Sequence, residues 1–463
     1  MWHQTNLSKI TILLILGFYF VSGFILFYYP QSFVQIGLLC YLASIGCLIK
    51  IIQLIRYDFI IQLRFTFVLA IGLAAGATKL FEPELFLTNF GKPVQTFNVM
   101  VRIYALTLIA VGSCLIGYLL SLHSTKSKSK KLIINVSMAR DFNLYWITLI
   151  FIVIVGYYSG KSYGPPIWEA AYASGHGDGQ LLGNLQSIGV ILIGINYLIT
   201  YKLNNTMFRY LSFATYFYFL VFNILIRGGR LEFLSGVLAI FVCRQLFIGI
   251  SPNMRIRSYV LLVFAAFSLE YFGYIRHTLI TVGNETYVEG LLRMIQDGVL
   301  SLGTISGIGS NFANIIHMLD TDVITHSYGL NYLDYILRIP PAFLYPNRPE
   351  DLSSIFQLYN YVSIGGFFEV GEEYMSFGIL GVVVIPGCIT FFLRLICNRG
   401  LNGSFFYYVL TLSIISVFMR GAWYQTFAYF KAGITGIIIY WLAEIIHKFY
   451  HRNIKTYTLS NKS

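Results

Sequence analysis

Two arginines separated by two glycines, Arg227-Gly228-Gly229-Arg230, stand between two apolar runs of this 463-residue chain. The glycines allow a tight turn and let a ligand approach the peptide N–H groups closely. The start of the next helix adds a dipole that favours an anion, and guanidinium groups bind phosphate in a planar, bidentate way. The turn is therefore a candidate diphosphate-binding site. The alternative is an ordinary tight turn in which one arginine pairs with Glu232.

Further arginines stand on what the charge pattern makes the outer side of a membrane. Arg276, Arg348 and Arg420 are candidate contacts to the same anion, because positive charge on that side opposes the usual topology rule and needs another use. For Arg276 the alternative is a side chain that extends to the membrane surface from a helix end. For Arg420, which is followed by Gly421 and Trp423, the alternative is an interface anchor.

Three carboxylates lie close together later in the chain. Glu369, Glu372 and Glu373 fall at positions i, i+3 and i+4, which share a face if the stretch is helical. Neighbouring carboxylates raise the pKa of at least one member, which suits a general base that takes a proton from a hydroxyl. Glu372, Glu369 and His277 are the candidate bases. A solvated acidic helix start, favoured by the helix dipole, is the alternative for the glutamates.

The elements that position these residues are predicted to lie in a membrane. The chain is 57% hydrophobic and 11% charged, with a mean hydropathy of +0.68, and a soluble fold cannot bury that much apolar surface. We predict an all-α polytopic integral membrane protein with about 12 transmembrane helices. They are placed at 10–29, 33–55, 59–80, 98–122, 144–160, 181–200, 210–226, 231–249, 259–275, 374–396, 403–420 and 430–447.

Basic residues set the orientation of the predicted helices. With the N-terminus in the cytoplasm, the Ser/Lys run from Ser124 to Lys131 and helix-flanking residues such as Lys50 and Arg64 lie inside. Both termini are then cytoplasmic. Residues 1–275 form nine helices, 276–373 form one large extracytoplasmic loop, and 374–463 form three helices and a tail. The loop holds eleven acidic residues against four arginines, which agrees with an outer position.

The net charge of +12 does not indicate nucleic-acid binding, because the basic residues are spread along the chain and flank apolar runs. The six cysteines lie in or beside apolar runs and form no Cys/His cluster, so no metal site is predicted. A DxD match at Asp320-Thr321-Asp322 is explained by chance in an acidic loop.

Two motifs and the overall plan resemble a known family. The stretch Ile339–Pro349 reads IPPAFLYPNRP, and the stretch Gly371–Gly381 reads GEEYMSFGILG where the chain re-enters the membrane. Together with the Arg-Gly-Gly-Arg turn and the many apolar helices, they are similar to those of the Wzy-type O-antigen and oligosaccharide repeat-unit polymerases. The resemblance covers the whole chain in architecture, and its motifs are short.

The resemblance implies a GT-C-like, metal-independent glycosyltransferase of the bacterial inner membrane that uses no cofactor. It would join undecaprenyl-diphosphate-linked oligosaccharide units on the outer side, with a chain-length regulator protein as a candidate partner besides membrane lipids. In that scheme Arg227, Arg230 and Arg276 bind the diphosphate, and Arg348 and Arg420 are second choices. Tyr328 and Tyr345 are candidate sugar-stacking surfaces.

Two other functions fit the same sequence. An O-antigen ligase shares the helix plan, the outer loop and the outer arginines, but passes the glycan to the lipid A core. A flippase or transporter of lipid-linked oligosaccharide predicts charges inside helices at mid-membrane. The sequence offers few such charges, chiefly Arg102, Arg244 and Glu270, and each can be placed near a helix end.

Overall fold

The structure, a computed structural model, describes residues 6–55, 58–80, 96–124, 138–163, 179–226, 230–248, 303–340, 345–349, 367–401, 404–423 and 426–460. In chain order the helices are α1 (Asn6–Tyr28), α2 (Phe33–Leu54), α3 (Phe59–Leu80), α4 (Phe97–Ser124), α5 (Met138–Tyr163), α6 (Gly179–Leu203), α7 (Thr206–Phe217, continued by a π-helix Tyr218–Leu225), α8 (Arg230–Ile248), α9 (Gly303–Asp320), α10 (Leu330–Leu337), α11 (Glu369–Phe377), α12 (Ile379–Leu401), α13 (Phe405–Ser416), α14 (Phe418–Trp423) and α15 (Phe427–Ser460).

These described ranges are helical and contain no strand. Within them, eight helices are long and apolar enough to cross a membrane, namely α1 to α7 and α12. Shorter apolar helices lie at Phe233–Arg244, Phe405–Ser416 and Phe427–Leu442. The predicted polytopic α-helical membrane protein is therefore confirmed. The number of about 12 spans remains a prediction, and the helix predicted at 259–275 lies outside the described residues.

Several predicted boundaries differ from the structure. The short runs predicted at 144–160 and 430–447 belong to the longer helices α5 and α15. The run predicted at 403–420 is split into α13 and α14 by Val417, whose φ of −122° breaks the helix. The helix predicted to start at 374 starts at Ile379 instead, because a turn at Gly378 separates it from α11. A run of apolar residues predicts a helix, but it does not indicate where a turn divides the run into two consecutive helices.

Gly378 reverses the chain and makes α11 and α12 a tight helical hairpin. Its φ of 62° lies in the left-handed region that glycine adopts at no steric cost. The two helices then run side by side in opposite directions, so closely that a Cβ built on Gly381 would meet the carbonyl oxygen of Glu373. As a result, the start of α11 lies beside the middle of α12 rather than at its end.

The helix α4 is the centre of the bundle and packs against α1, α3 and α12. Small residues allow the closest crossing, where Gly117 of α4 meets the carbonyl oxygen of Gly387 of α12. Ser113 ties the same crossing together, since its hydroxyl donates to the carbonyl of Val383 and accepts from the Gly387 N–H at 2.9 Å. Small residues at helix crossings are typical of membrane bundles.

Gly117→Ala is expected to destabilise the protein by about 1–3 kcal/mol, because a methyl group there collides with a backbone atom that cannot move aside. The matched control is Gly17→Ala, since a Cβ at Gly17 meets nothing within 4 Å. Melting temperatures of both variants in detergent test the prediction. Equal melting temperatures for the two would show that the α4–α12 crossing tolerates separation.

Helices also occur within the predicted loop 276–373. The described part of α9 is mostly buried against α3, α4 and α11. At its end Asp320 pairs with Arg102 of α4, and Arg102 donates to the Tyr374 hydroxyl of α11 at 2.9 Å. Phe312 of α9 packs against Phe368, just before α11, with ring centroids 5.7 Å apart. The side of the membrane on which these residues lie stays a prediction.

Candidate functional site

The start of α11 is held inside the bundle by an ion pair. The Arg64 guanidinium of α3 donates to both carboxylate oxygens of Glu369, at 2.7 and 2.9 Å, and both side chains are 0% exposed. Arg64 also donates to the Thr390 hydroxyl, at the middle of α12, at 2.8 Å. The prediction that Arg64 is a basic residue flanking a helix is therefore wrong. Such bidentate pairs fix geometry as well as charge.

Glu372 is buried against two other elements. Its Oε1 accepts a hydrogen bond from the Tyr335 hydroxyl of α10 at 2.6 Å. Its Oε2 accepts from the Thr426 N–H at 3.0 Å and from the Thr426 hydroxyl, just before α15. Burial raises the pKa of Glu372 above its ordinary value, and these hydrogen bonds oppose the rise. Glu372 is thus a fixed carboxyl group whose proton is exchanged closer to neutral pH.

The third glutamate of α11 has no such partners. Glu373 is 0% exposed, and neither of its carboxylate oxygens has a hydrogen-bond partner among the described residues. Burial, and then the charge of Glu369, raise the pKa of Glu373 well above its ordinary value. The alternative of a solvated acidic helix start is therefore wrong for all three glutamates, because α11 turns inward at Gly378.

Four basic side chains from separate segments converge near Glu372. Arg338, Arg348 and Arg420 all lie close enough to the Lys431 ammonium for their charges to act on it. We call Arg338, Arg348, Arg420 and Lys431 the cationic cluster. Arg420 is exposed and the other three are partly exposed. The sequence placed Arg348 and Arg420 among the candidate anion ligands, and the structure brings these two together.

One aromatic residue joins the cationic cluster to Glu372. The Arg338 guanidinium lies over the Phe427 ring, 5.4 Å from its centroid. The Tyr335 ring lies 5.1 Å from the same Phe427 ring, and its hydroxyl donates to Glu372. Lys431 follows Phe427 by one turn of α15. The carboxyl group and the four cations therefore occupy one region, where α10, α14 and α15 meet.

Other predicted site residues are exposed or lie outside the described residues. Tyr328 is 77% exposed and Tyr345 is 38% exposed, so both rings are accessible as stacking surfaces. Arg227, Arg276 and His277 lie outside the described residues. Arg230 begins α8, and its side chain is likewise outside the description.

Sequence reasoning missed the partners that hold the carboxylates. The candidate site residues from the sequence did not include Arg64, Tyr335, Thr426, Arg338 or Lys431. A signal for Arg64 existed, because an arginine inside an apolar run is costly unless it is paired. No comparable signal marks Tyr335 or Thr426, since tyrosine and threonine are common throughout the chain.

Comparison with models of protein families, with curated proteins and with solved structures finds no match to this chain.

Proposed function

We propose that this chain is a membrane glycosyltransferase of the polysaccharide-polymerase type, which joins oligosaccharide units carried on undecaprenyl diphosphate. The observation that carries the proposal is the cationic cluster beside the buried carboxyl group of Glu372. It supports binding of a multiply charged anion next to a group that can take a proton. The resemblance of the GEEYMSFGILG and IPPAFLYPNRP stretches to the Wzy-type polymerases supports the same function.

The cationic cluster favours a diphosphate as its ligand. Like charges at close range repel, and the repulsion is strongest where the surroundings are poorly solvated. Arg338, Arg348 and Lys431 are all partly buried, and an anion bound among them would lower their mutual repulsion. Three of the four members are arginines, whose planar guanidinium groups match two oxygens of a phosphate. A lipid-linked diphosphate provides both the charge and the membrane location.

The proposed reaction is a direct displacement. The hydroxyl oxygen of the acceptor sugar forms a bond with the anomeric carbon of the donor sugar, while the bond between that carbon and the diphosphate oxygen breaks. The electron pair leaves with undecaprenyl diphosphate, whose growing charge the cationic cluster stabilises. The hydroxyl proton passes to Glu372. No redox partner is needed, and atoms and charge balance.

Glu372 is a better base than Glu369. Burial raises the pKa of Glu369, but Arg64 holds both of its oxygens and opposes the rise by stabilising the ionised form. Glu372 accepts hydrogen bonds from two hydroxyl groups, those of Tyr335 and Thr426. Either hydroxyl can relay a proton from the substrate side to the carboxylate. His277, the third predicted base, remains a prediction outside the described residues.

Loss of the gene tests the function in cells. If the chain is a polymerase, lipopolysaccharide from cells that lack it carries single repeat units on the core and no long chains. A core with no repeat unit at all would contradict the polymerase and favour a ligase or a flippase. Long chains of normal length would contradict the polymerase, the ligase and the flippase alike.

Arg420→Ala is expected to weaken binding of undecaprenyl diphosphate by about ten- to a hundredfold, which corresponds to one charge-assisted hydrogen bond. The control is Arg399→Ala, because Arg399 is also exposed but donates to the Tyr407 hydroxyl, at 2.6 Å, away from the cluster. Binding of undecaprenyl diphosphate to the purified protein in nanodiscs provides the measurement. Equal affinities for the two variants would contradict the cluster as the diphosphate site.

One observation favours the flippase as a second candidate. A transporter predicts charges buried inside the bundle, and Arg64 and Glu369 form such a pair beside the middle of α12. Liposomes separate the two functions. A flippase moves lipid-linked oligosaccharide to the opposite leaflet without changing its length, whereas a polymerase lengthens it and releases undecaprenyl diphosphate.

A further inference from the structure

We propose that Glu373 is a proton-binding site inside the helix bundle, distinct from the Glu372 carboxyl group. The proposal does not rest on glycosyl transfer. It concerns the hairpin of α11 and α12, and it would hold for a polymerase, a ligase or a flippase alike.

Glu373 is buried, and its carboxyl group has no hydrogen-bond partner among the described residues. Both carboxylate oxygens are inaccessible to solvent, and neither has a hydrogen-bond partner in the described ranges. Buried polar side chains are nearly always hydrogen-bonded, so an exception calls for an explanation. An ionised carboxylate here is strongly disfavoured, because an unpaired charge in apolar surroundings takes up a proton instead.

The charges around α11 leave Glu373 without a cation of its own among the groups that act on it. The positive group that acts on Glu373 is Arg64 of α3, and its guanidinium is already engaged by both oxygens of Glu369. The other titratable groups that act on Glu373 are Cys114 of α4 and Glu372, and neither supplies a positive charge. Among the described residues, Arg64 is thus bound to Glu369, while the Glu373 oxygens accept no hydrogen bond. A proton can therefore neutralise Glu373.

The helices α9 and α12 pack against α11 with apolar side chains and a glycine. Gly371 of α11 packs against Phe312 and Ile315 of α9, which are apolar. Gly381 of α12 lies against the backbone carbonyl oxygen of Glu373. Neither contact brings a titratable side chain to the Glu373 carboxyl group.

A second, independent side chain points to the same place. The Tyr332 hydroxyl of α10 is buried and, within the part of the chain that the structure describes, also has no hydrogen-bond partner. The charge of Glu373 acts on Tyr332 more strongly than any other charge. The Tyr332 ring stacks on Phe377, 6.4 Å between centroids, while the residue as a whole is partly exposed. Tyr332 therefore lies close enough to Glu373 for the carboxyl charge to act on its phenol.

The proposed site gives the hairpin two charge states. When Glu373 is protonated, Glu369 is the only carboxylate that competes for the Arg64 guanidinium. When the proton leaves, two carboxylates one helical turn apart compete for Arg64, and the contact between α11 and α3 must adjust. The proton therefore controls how firmly the start of α11 is held beside the middle of α12.

Dicyclohexylcarbodiimide tests the location of the proton, because it reacts with protonated carboxyl groups in apolar surroundings. The purified full-length chain in detergent is treated with this reagent, digested and analysed by tandem mass spectrometry. The expected adduct lies on Glu373. It is lost in Glu373→Gln and kept in Glu372→Gln. An adduct on Glu369 or Glu372 in the unmodified chain, or no adduct on α11, would overturn the proposal.

An infrared titration tests release of the proton. The carbonyl band of protonated carboxyl groups is expected to weaken as the pH rises, and this change should be missing from Glu373→Gln. Because a protonated glutamate and a glutamine have the same shape, the variant is expected to keep the melting temperature of the unmodified chain. A band change that persists in Glu373→Gln would overturn the proposal. Neither experiment requires glycan synthesis. A negative result would therefore overturn the proton-binding site without contradicting the proposed function.

Discussion

Glu372→Gln is expected to lower the rate of glycan chain extension by about 10²- to 10⁴-fold, the range that a positioned general base contributes. Glutamine cannot take the proton of the acceptor hydroxyl. Its amide oxygen can still accept from Thr426, and its amide nitrogen can donate to the Tyr335 hydroxyl. The variant should therefore fold and reach the membrane in normal amounts. Chain-length distributions on gels and extension rates in liposomes provide the measurement.

The chain offers a matched control for this substitution. Glu444 of α15 also accepts a hydrogen bond from a tyrosine, Tyr440, at 3.3 Å, but it lies far along α15 from the cationic cluster. Glu444→Gln should leave chain extension unchanged. If Glu372→Gln extended chains at the normal rate, Glu372 would not be the base. That result would not contradict binding of undecaprenyl diphosphate by the cationic cluster, which the Arg420→Ala variant tests separately.

Arg64→Leu is expected to destabilise the protein by about 3–5 kcal/mol, because it leaves the Glu369 carboxylate buried without its partner. The start of α11 should then lose its contact with α3, and the site residues that follow it should shift. Melting temperature in detergent and the amount of protein in the membrane measure the effect. The melting temperature of Arg64→Lys should lie between those of the unmodified chain and of Arg64→Leu. The lysine ammonium group is a point charge, so it cannot engage both Glu369 oxygens and Thr390 as the planar guanidinium does.

The double variant Arg64→Leu with Glu369→Leu separates the ion pair from simple packing. Removing both charges avoids the unpaired carboxylate, and replacing a buried ion pair by apolar residues is often neutral or stabilising. The double variant should therefore recover most of the stability that Arg64→Leu loses. If it were as unstable as the single variant, lost packing around Arg64 would explain the effect, and the pair would not be what holds α11.

The two variants also test different features of the same hairpin. Glu372 acts through its proton and its position beside the cationic cluster, whereas Arg64 acts through the depth at which α11 is held. Loss of activity with normal stability is expected for Glu372→Gln, and loss of both for Arg64→Leu. A normal melting temperature with lost activity in Arg64→Leu would mean that Arg64 affects the reaction without holding the fold.

The sequence by itself determined the helices and their environment. A membrane-spanning helix satisfies its backbone hydrogen bonds within one segment, so a continuous apolar run is sufficient to predict it. That is why α1 to α4 begin and end within a few residues of the predicted positions. The sequence also identified the glutamates of α11 and two members of the cationic cluster, Arg348 and Arg420, because charge is rare in this chain.

Only the tertiary structure decided how these residues are used. Arg64 and Glu369 are 305 positions apart, and Glu372 takes its hydrogen bonds from α10 and from the start of α15. Such pairings depend on which helices become neighbours and on how deep each one lies, and no local pattern encodes this. The turn at Gly378 is decisive, because it directs α11 inward and buries the three glutamates, which excludes the alternative of a solvated helix start. Electrostatics between distant segments then determines which carboxyl groups are paired and which must carry a proton.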